Sequence, residues 1–131
     1  MGVKKCQKWC PNSFLNWGRP HLHGDCVRLS CCDSFKIDIL KKGRFLVSFS
    51  LNVKGICERK QEFAVHLQDS NRKTLYTVYG HTPPNDTLFT ISMGGVLVDT
   101  IEQNLPYSIF LRLESSDPLM VEQATLNIVE V

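Results

Sequence analysis

From about Asp33 onward the chain repeats one pattern, short runs in which apolar and polar residues alternate. Phe35, Ile37 and Ile39 alternate with Lys36 and Asp38, and Phe45, Val47, Phe49, Leu51 and Val53 alternate with Leu46, Ser48, Ser50 and Asn52. Phe63, Val65 and Leu67 alternate with Ala64, His66 and Gln68. Side chains of a strand point to opposite faces in turn, so each run predicts a strand with one face on a core. Thr74 to Tyr79 is rich in β-formers. Thr87 to Met93 alternates through Phe89, Ile91 and Met93, is broken at Gly94-Gly95, and resumes over Val96 to Asp99. Tyr107 to Leu113 is apolar on nearly both faces, as a strand buried between layers is. Ala124 to Val131 alternates again.

Turn-forming residues fall between the runs: Lys42-Gly43, Lys54-Gly55, Ser70-Asn71, Pro83-Pro84-Asn85, Gly94-Gly95, Asn104-Leu105-Pro106 and Asp117-Pro118. The only helical signal is a short one around Thr100 to Asn104. Strands at this spacing predict an all-β sandwich or jelly roll. At 131 residues the chain predicts one domain with a sizeable core. Residues 1–32 read as an irregular arm carrying Trp9, Pro11, Trp17, Gly18, Pro20 and Gly24, and residues 33–131 as the sandwich, the two forming one folded unit.

Charge excludes little but is informative. Fifteen Lys and Arg interleave with thirteen Asp and Glu, a formal net charge of +2, which argues for a mixed solvated surface and against a nucleic-acid partner. The apolar runs are far shorter than the roughly 20 residues a spanning helix needs. Gly2 to Gln7 lead straight into polar sequence, with no secretory leader pattern. Met1-Gly2 starts like a myristoylation site, but Cys6 stands where that motif takes Ser or Thr. The chain reads as part of a longer protein.

All six cysteines, Cys6, Cys10, Cys26, Cys31, Cys32 and Cys57, lie in the first 57 residues. An even count clustered at one end predicts disulfides in an oxidising, extracellular compartment. Asn85-Asp86-Thr87, next to Pro83-Pro84, is a glycosylation sequon in a surface loop and points the same way. His21 and His23 beside Cys26, Cys31 and Cys32 offer zinc-type ligands, but their spacing matches no finger, ribbon or knuckle, so no metal is expected.

Catalytic patterns fare no better. His66 and His81 accompany many serines, but none lies in a nucleophile elbow or a Cys-His signature. His66, on the polar phase of its strand, reads as an exposed surface histidine. Glu114 and Asp117 could be paired carboxylates, but their Ser-Ser-Asp-Pro context reads as a solvated turn. The expectation is a binding domain, with no enzymatic activity and no cofactor.

The run Lys36-Ile37-Asp38-Ile39-Leu40-Lys41-Lys42-Gly43-Arg44-Phe45-Leu46-Val47 resembles the tumour necrosis factor ligand family. Glu62 to Leu67 looks like the next family strand, Ser108 to Leu111 the penultimate and Thr125 to Ile128 the last. Cys6, Trp17 and Cys26-Val27, with Pro20 between, resemble the arm of the small divergent group that contains the glucocorticoid-induced TNF-receptor ligand. There the two cysteines pair, which implies a Cys6–Cys26 disulfide. Cys10, Cys31, Cys32 and Cys57 depart from that pattern, and Gln123-Ala124 stand where the family's last strand has an aromatic-Gly pair. Complement-type globular recognition heads, which share the fold, are the alternative.

The resemblance implies a jelly-roll protomer in a homotrimer. It implies the ectodomain of a type II membrane protein, displayed at the cell surface or shed, whose spanning segment lies outside this chain. The implied partner is a TNF-receptor-family co-stimulatory receptor on T cells, bound by loops flanking the groove between protomers. Candidates in those loops are Lys54, Glu58, Arg59, Lys60, Asp69, Asn71, Arg72, Lys73, His81, Glu114 and Asp117. The Phe45 strand and the strand from Tyr107 carry more apolar side chains than one core face accounts for. Phe45, Phe89, Tyr107 and Phe110 are therefore the candidates for a self-association face.

Overall fold

The structure, a computed structural model, describes residues 2–3, 7–17, 27–30, 35–55, 61–82 and 87–131. Ten strands are placed: β1 (Gly2–Val3), β2 (Gln7–Trp9), β3 (Val27–Leu29), β4 (Ile37–Ile39), β5 (Gly43–Gly55), β6 (Glu62–Asp69), β7 (Thr74–His81), β8 (Leu88–Thr100), β9 (Tyr107–Ser115) and β10 (Leu119–Glu130). The helical signal near Thr100 resolves to one 3-10 turn, Glu102–Asn104, followed by a cis Leu105–Pro106 bond.

Two antiparallel sheets face each other. The first runs β1-β10-β5-β8, with β2 also paired to β10; the second runs β3-β4-β9-β6-β7. From β4 on, the chain changes sheet at every connection except the β6–β7 hairpin. This is the expected jelly-roll sandwich.

The alternation explains the core. Phe45, Val47, Phe49, Leu51 and Val53 of β5 point inward and are buried, as are Phe63, Val65 and Leu67 of β6 and Ile109, Leu111 and Leu113 of β9. The arm is not peripheral to this core. Trp9, Leu15 and Trp17 are at most 1% exposed and belong to the same cluster. Asn12 and Leu15 donate their backbone N–H groups to Leu113 O and Leu111 O, and Leu113 returns one to Ser13 O. The segment around Phe14 thus extends the line of β4 along β9 through one isolated bridge in otherwise irregular backbone.

Gly94-Gly95 does not end a strand. Strand β8 runs through it, and the register against β5 shifts between Val47 and Phe49. Two glycines oppose Ser48 alone, so Met93 and Val96 both keep facing the core. Gly95 has φ +153, and a Cβ there would lie 2.8 Å from Leu46 Cδ1. Gly95→Ala is expected to cost about 1–3 kcal/mol in urea denaturation, because a side chain is strained in that backbone conformation.

Candidate interaction surfaces

Receptor-loop candidates fall at both ends of the sandwich. At one end two buried polar residues meet, Gln61 just before β6 and Thr82 just after β7. Gln61 N–H donates to Thr82 Oγ1 (3.0 Å), Thr82 N–H to Gln61 O (2.8 Å), and Gln61 Nε2 to Asp117 O (3.0 Å). Thr82 also packs against Gly55. Lys54, His81, Glu114 and Asp117 all belong to this end. Lys54 pairs with Glu122 at 3.3 Å, and His81 lies 3.9 Å from Glu62.

The remaining described candidates, Asp69, Asn71, Arg72 and Lys73, form the β6–β7 turn at the opposite end. Asp69 is not an exposed loop residue. It is 3% exposed, its Oδ1 accepts the backbone N–H of Asn71 (2.9 Å) and Lys73 (3.0 Å), and its Oδ2 accepts the Tyr107 hydroxyl (2.8 Å). Glu58, Arg59, Lys60, the sequon Asn85 and the Cys6–Cys26 pair lie outside the described residues, as do His21, His23, Cys31, Cys32 and Cys57. Cys10 carries an exposed free thiol.

His66 and Glu114 are also placed differently from expectation. His66 is buried at 8% exposure. Its Nε2 lies 2.6 Å from Glu114 Oε2 and its Nδ1 2.8 Å from Thr77 Oγ1. Strand β6 lies between β7 and β9, so Thr77 and Glu114 roof the imidazole from either side. Glu114 is therefore on a strand rather than in a turn. The hydrogen bond and charge of His66, helped by Arg112, hold the Glu114 carboxyl below the usual carboxylate range. The order hydroxyl, imidazole, carboxylate is that of a nucleophilic triad, but Thr77 sits mid-strand, with no elbow lifting its hydroxyl into a cleft. The arrangement satisfies the two nitrogens of a buried ring.

The outward face of the β10-β5-β8 sheet holds what the sequence reading missed. Leu46 is paired in register with Leu97 on one side and Val129 on the other. The three are 38%, 55% and 58% exposed and form one apolar row across three strands. Ion pairs flank it, Arg44–Asp99 at 2.8 Å and Lys41–Glu130 at 3.0 Å. Farther along, Asn52 bridges Gln123 and Thr90. The available signal was a lapse in alternation, the apolar runs Phe45-Leu46-Val47, Val96-Leu97-Val98 and Ile128-Val129.

The aromatic candidates for self-association point elsewhere. Phe45 is 1% exposed and has no face left for a second copy, and Phe110, 6% exposed, lies on the outward face of the other sheet. Phe89 is half-buried against Phe63, ring centroids 5.7 Å apart, and Tyr107 is half-buried and tied to Asp69. Compared with known proteins, the chain matches no family model and no curated protein. No helix among the described residues is long and apolar enough to cross a membrane.

Proposed function

We propose that this chain is the extracellular domain of a TNF-family cytokine ligand. It self-associates as a homotrimer and clusters a TNF-receptor-family co-stimulatory receptor on T cells. The jelly-roll sandwich agrees with the fold that the sequence resemblance implies. The observation that carries the reading is the row Leu46–Leu97–Val129, three large apolar side chains left wet by the single chain on a regular sheet face. In a homotrimer the row of each copy would be covered by the neighbouring protomers around the threefold axis. Function then follows from multivalency, since three copies bring receptor tails together without any new contact per site. Receptor contacts are assigned to the end that gathers Lys54, His81, Glu114 and Asp117, together with Glu58, Arg59 and Lys60. Glycosylation at Asn85 and a Cys6–Cys26 disulfide belong to the same extracellular reading.

Light scattering tests it. The purified domain should have a mass about three times the 14.9 kDa of the chain. Leu97→Glu should yield a folded monomer with an unchanged circular-dichroism spectrum, because a carboxylate at a covered apolar row is left desolvated. A wild-type protein that stays monomeric at micromolar concentration would sink the proposal.

A further inference from the structure

The outward face of the other sheet holds a cavity of 490 Å³ lined by Phe14, Phe35, Lys36, Gln68, Ser70, Arg72, Phe110 and Arg112. Its apolar wall is a cluster of three rings. Phe14 stacks on Phe35 (centroids 4.6 Å apart, planes 18° apart) and meets Phe110 edge-on at 4.6 Å. Phe35 and Phe110 complete the triangle at 5.9 Å. Its polar wall carries three cations, Lys36, Arg72 and Arg112, and no carboxylate among the described lining residues. The size is that of small-ligand sites, which pair an apolar lining with a few fixed polar groups.

Hydrogen bonds hold the Arg112 guanidinium and the backbone at Arg72 in place. Arg112 Nε donates to Gln68 Oε1 at 3.3 Å, which fixes the guanidinium plane and leaves its terminal N–H donors for an anion. Arg72 has φ +63, in the left-handed region, at the position of the β6–β7 turn where glycine costs least. The turn is pinned there from both sides. Asp69 Oδ1 accepts from Asn71 and Lys73, and Arg72 N–H donates to Asp69 O at 2.9 Å. A strained arginine in a site suited to glycine is explained if its guanidinium is needed at the rim.

We infer that this cavity binds a small amphiphilic anion, an aryl or alkyl body carrying one carboxylate or sulfonate. The body lies on the phenylalanine cluster and the head meets Arg72 and Arg112. The site is separate from the apolar row on the opposite sheet and does not depend on receptor binding.

Anilinonaphthalene sulfonate, whose fluorescence rises on an apolar surface, is the probe, with the purified chain at fixed concentration. Saturable binding of one dye per chain is expected, with displacement by laurate. Neutral phenylnaphthylamine, the same aromatic body without the sulfonate, should bind about tenfold more weakly. Arg112→Gln should weaken the dye by about tenfold while keeping the amide contact to Gln68. Arg72→Gly should weaken it too, yet melt at the same temperature as the parent or higher, since the strain is relieved. Equal binding of the neutral and anionic dyes would overturn the proposal. So would dye binding that Leu97→Glu abolishes and the two arginine variants leave unchanged, which would place the dye on the apolar row.

Discussion

Replacing Trp9 by alanine is expected to lower the unfolding free energy by about 3–5 kcal/mol, read from urea denaturation. Trp9 is 1% exposed within the main core cluster, which also contains Leu119 and Val121 of the strand that β2 pairs with. Its indole N–H donates to Ser13 O at 3.0 Å. Truncation therefore removes a large buried surface, leaves a cavity between the sheets, and strips a partner from a turn carbonyl. Domains of this size are stable by only about 5–15 kcal/mol in all, so the variant should populate unfolded chain at modest denaturant. The value separates two views of the arm. A tail lying on the surface would give an effect within about 0.5 kcal/mol, as surface substitutions do. A loss below about 1 kcal/mol would mean that the arm is not docked between the sheets.

Why the arm was hard to read follows from its geometry. A thirteen-residue strand such as β5 repeats its alternation often enough to declare both its type and its buried face. Strands of two or three residues, as in β1, β2 and β3, have no period to detect. Asn12, Ser13 and Leu15 reach β9 through backbone hydrogen bonds that no local pattern encodes. His66 failed for a different reason. Alternation correctly put it on the face away from the core, and burial then came from Thr77 and Glu114 on neighbouring strands, whose register one strand's pattern does not show.

Register also decided the surfaces. Leu46, Leu97 and Val129 are each an ordinary exposed residue, and 51 and 32 positions separate them from one to the next. They become a surface only because β5 lies between β8 and β10 with those three side by side. The cavity arises in the same way, from Phe14 of the arm, two residues before β4, two on β9, one on β6 and two in the β6–β7 turn. Turn positions were legible from composition, but composition treated Asp69 and Arg72 alike as loop residues. One is the buried anchor of the turn and the other its strained tip.

Asp69→Ala is expected to cost about 2–4 kcal/mol, because one carboxylate satisfies three donors and its removal orphans them together. The Asn71 and Lys73 N–H groups lose the acceptor that shapes the turn, and the Tyr107 hydroxyl loses its partner. Asp69→Asn should cost less, since the amide oxygen still accepts from the two backbone groups. The pair also leaves a signature in alkali. Burial, then the hydrogen bond to Asp69 and its negative charge, push the Tyr107 phenol well above the usual tyrosine range. A proton held more tightly in the folded chain than in the unfolded one gives stability that is complete below the unfolded value, about pH 10, and is lost as pH rises beyond it. Urea midpoints measured from about pH 8 to pH 11 should therefore fall at the alkaline end for the parent. Tyr107→Phe should start lower by about 1 kcal/mol, for the lost hydrogen bond, and then lack this part of the alkaline decline. A Tyr107→Phe profile parallel to the parent's through that range would show that the fold does not hold the Tyr107 phenol protonated.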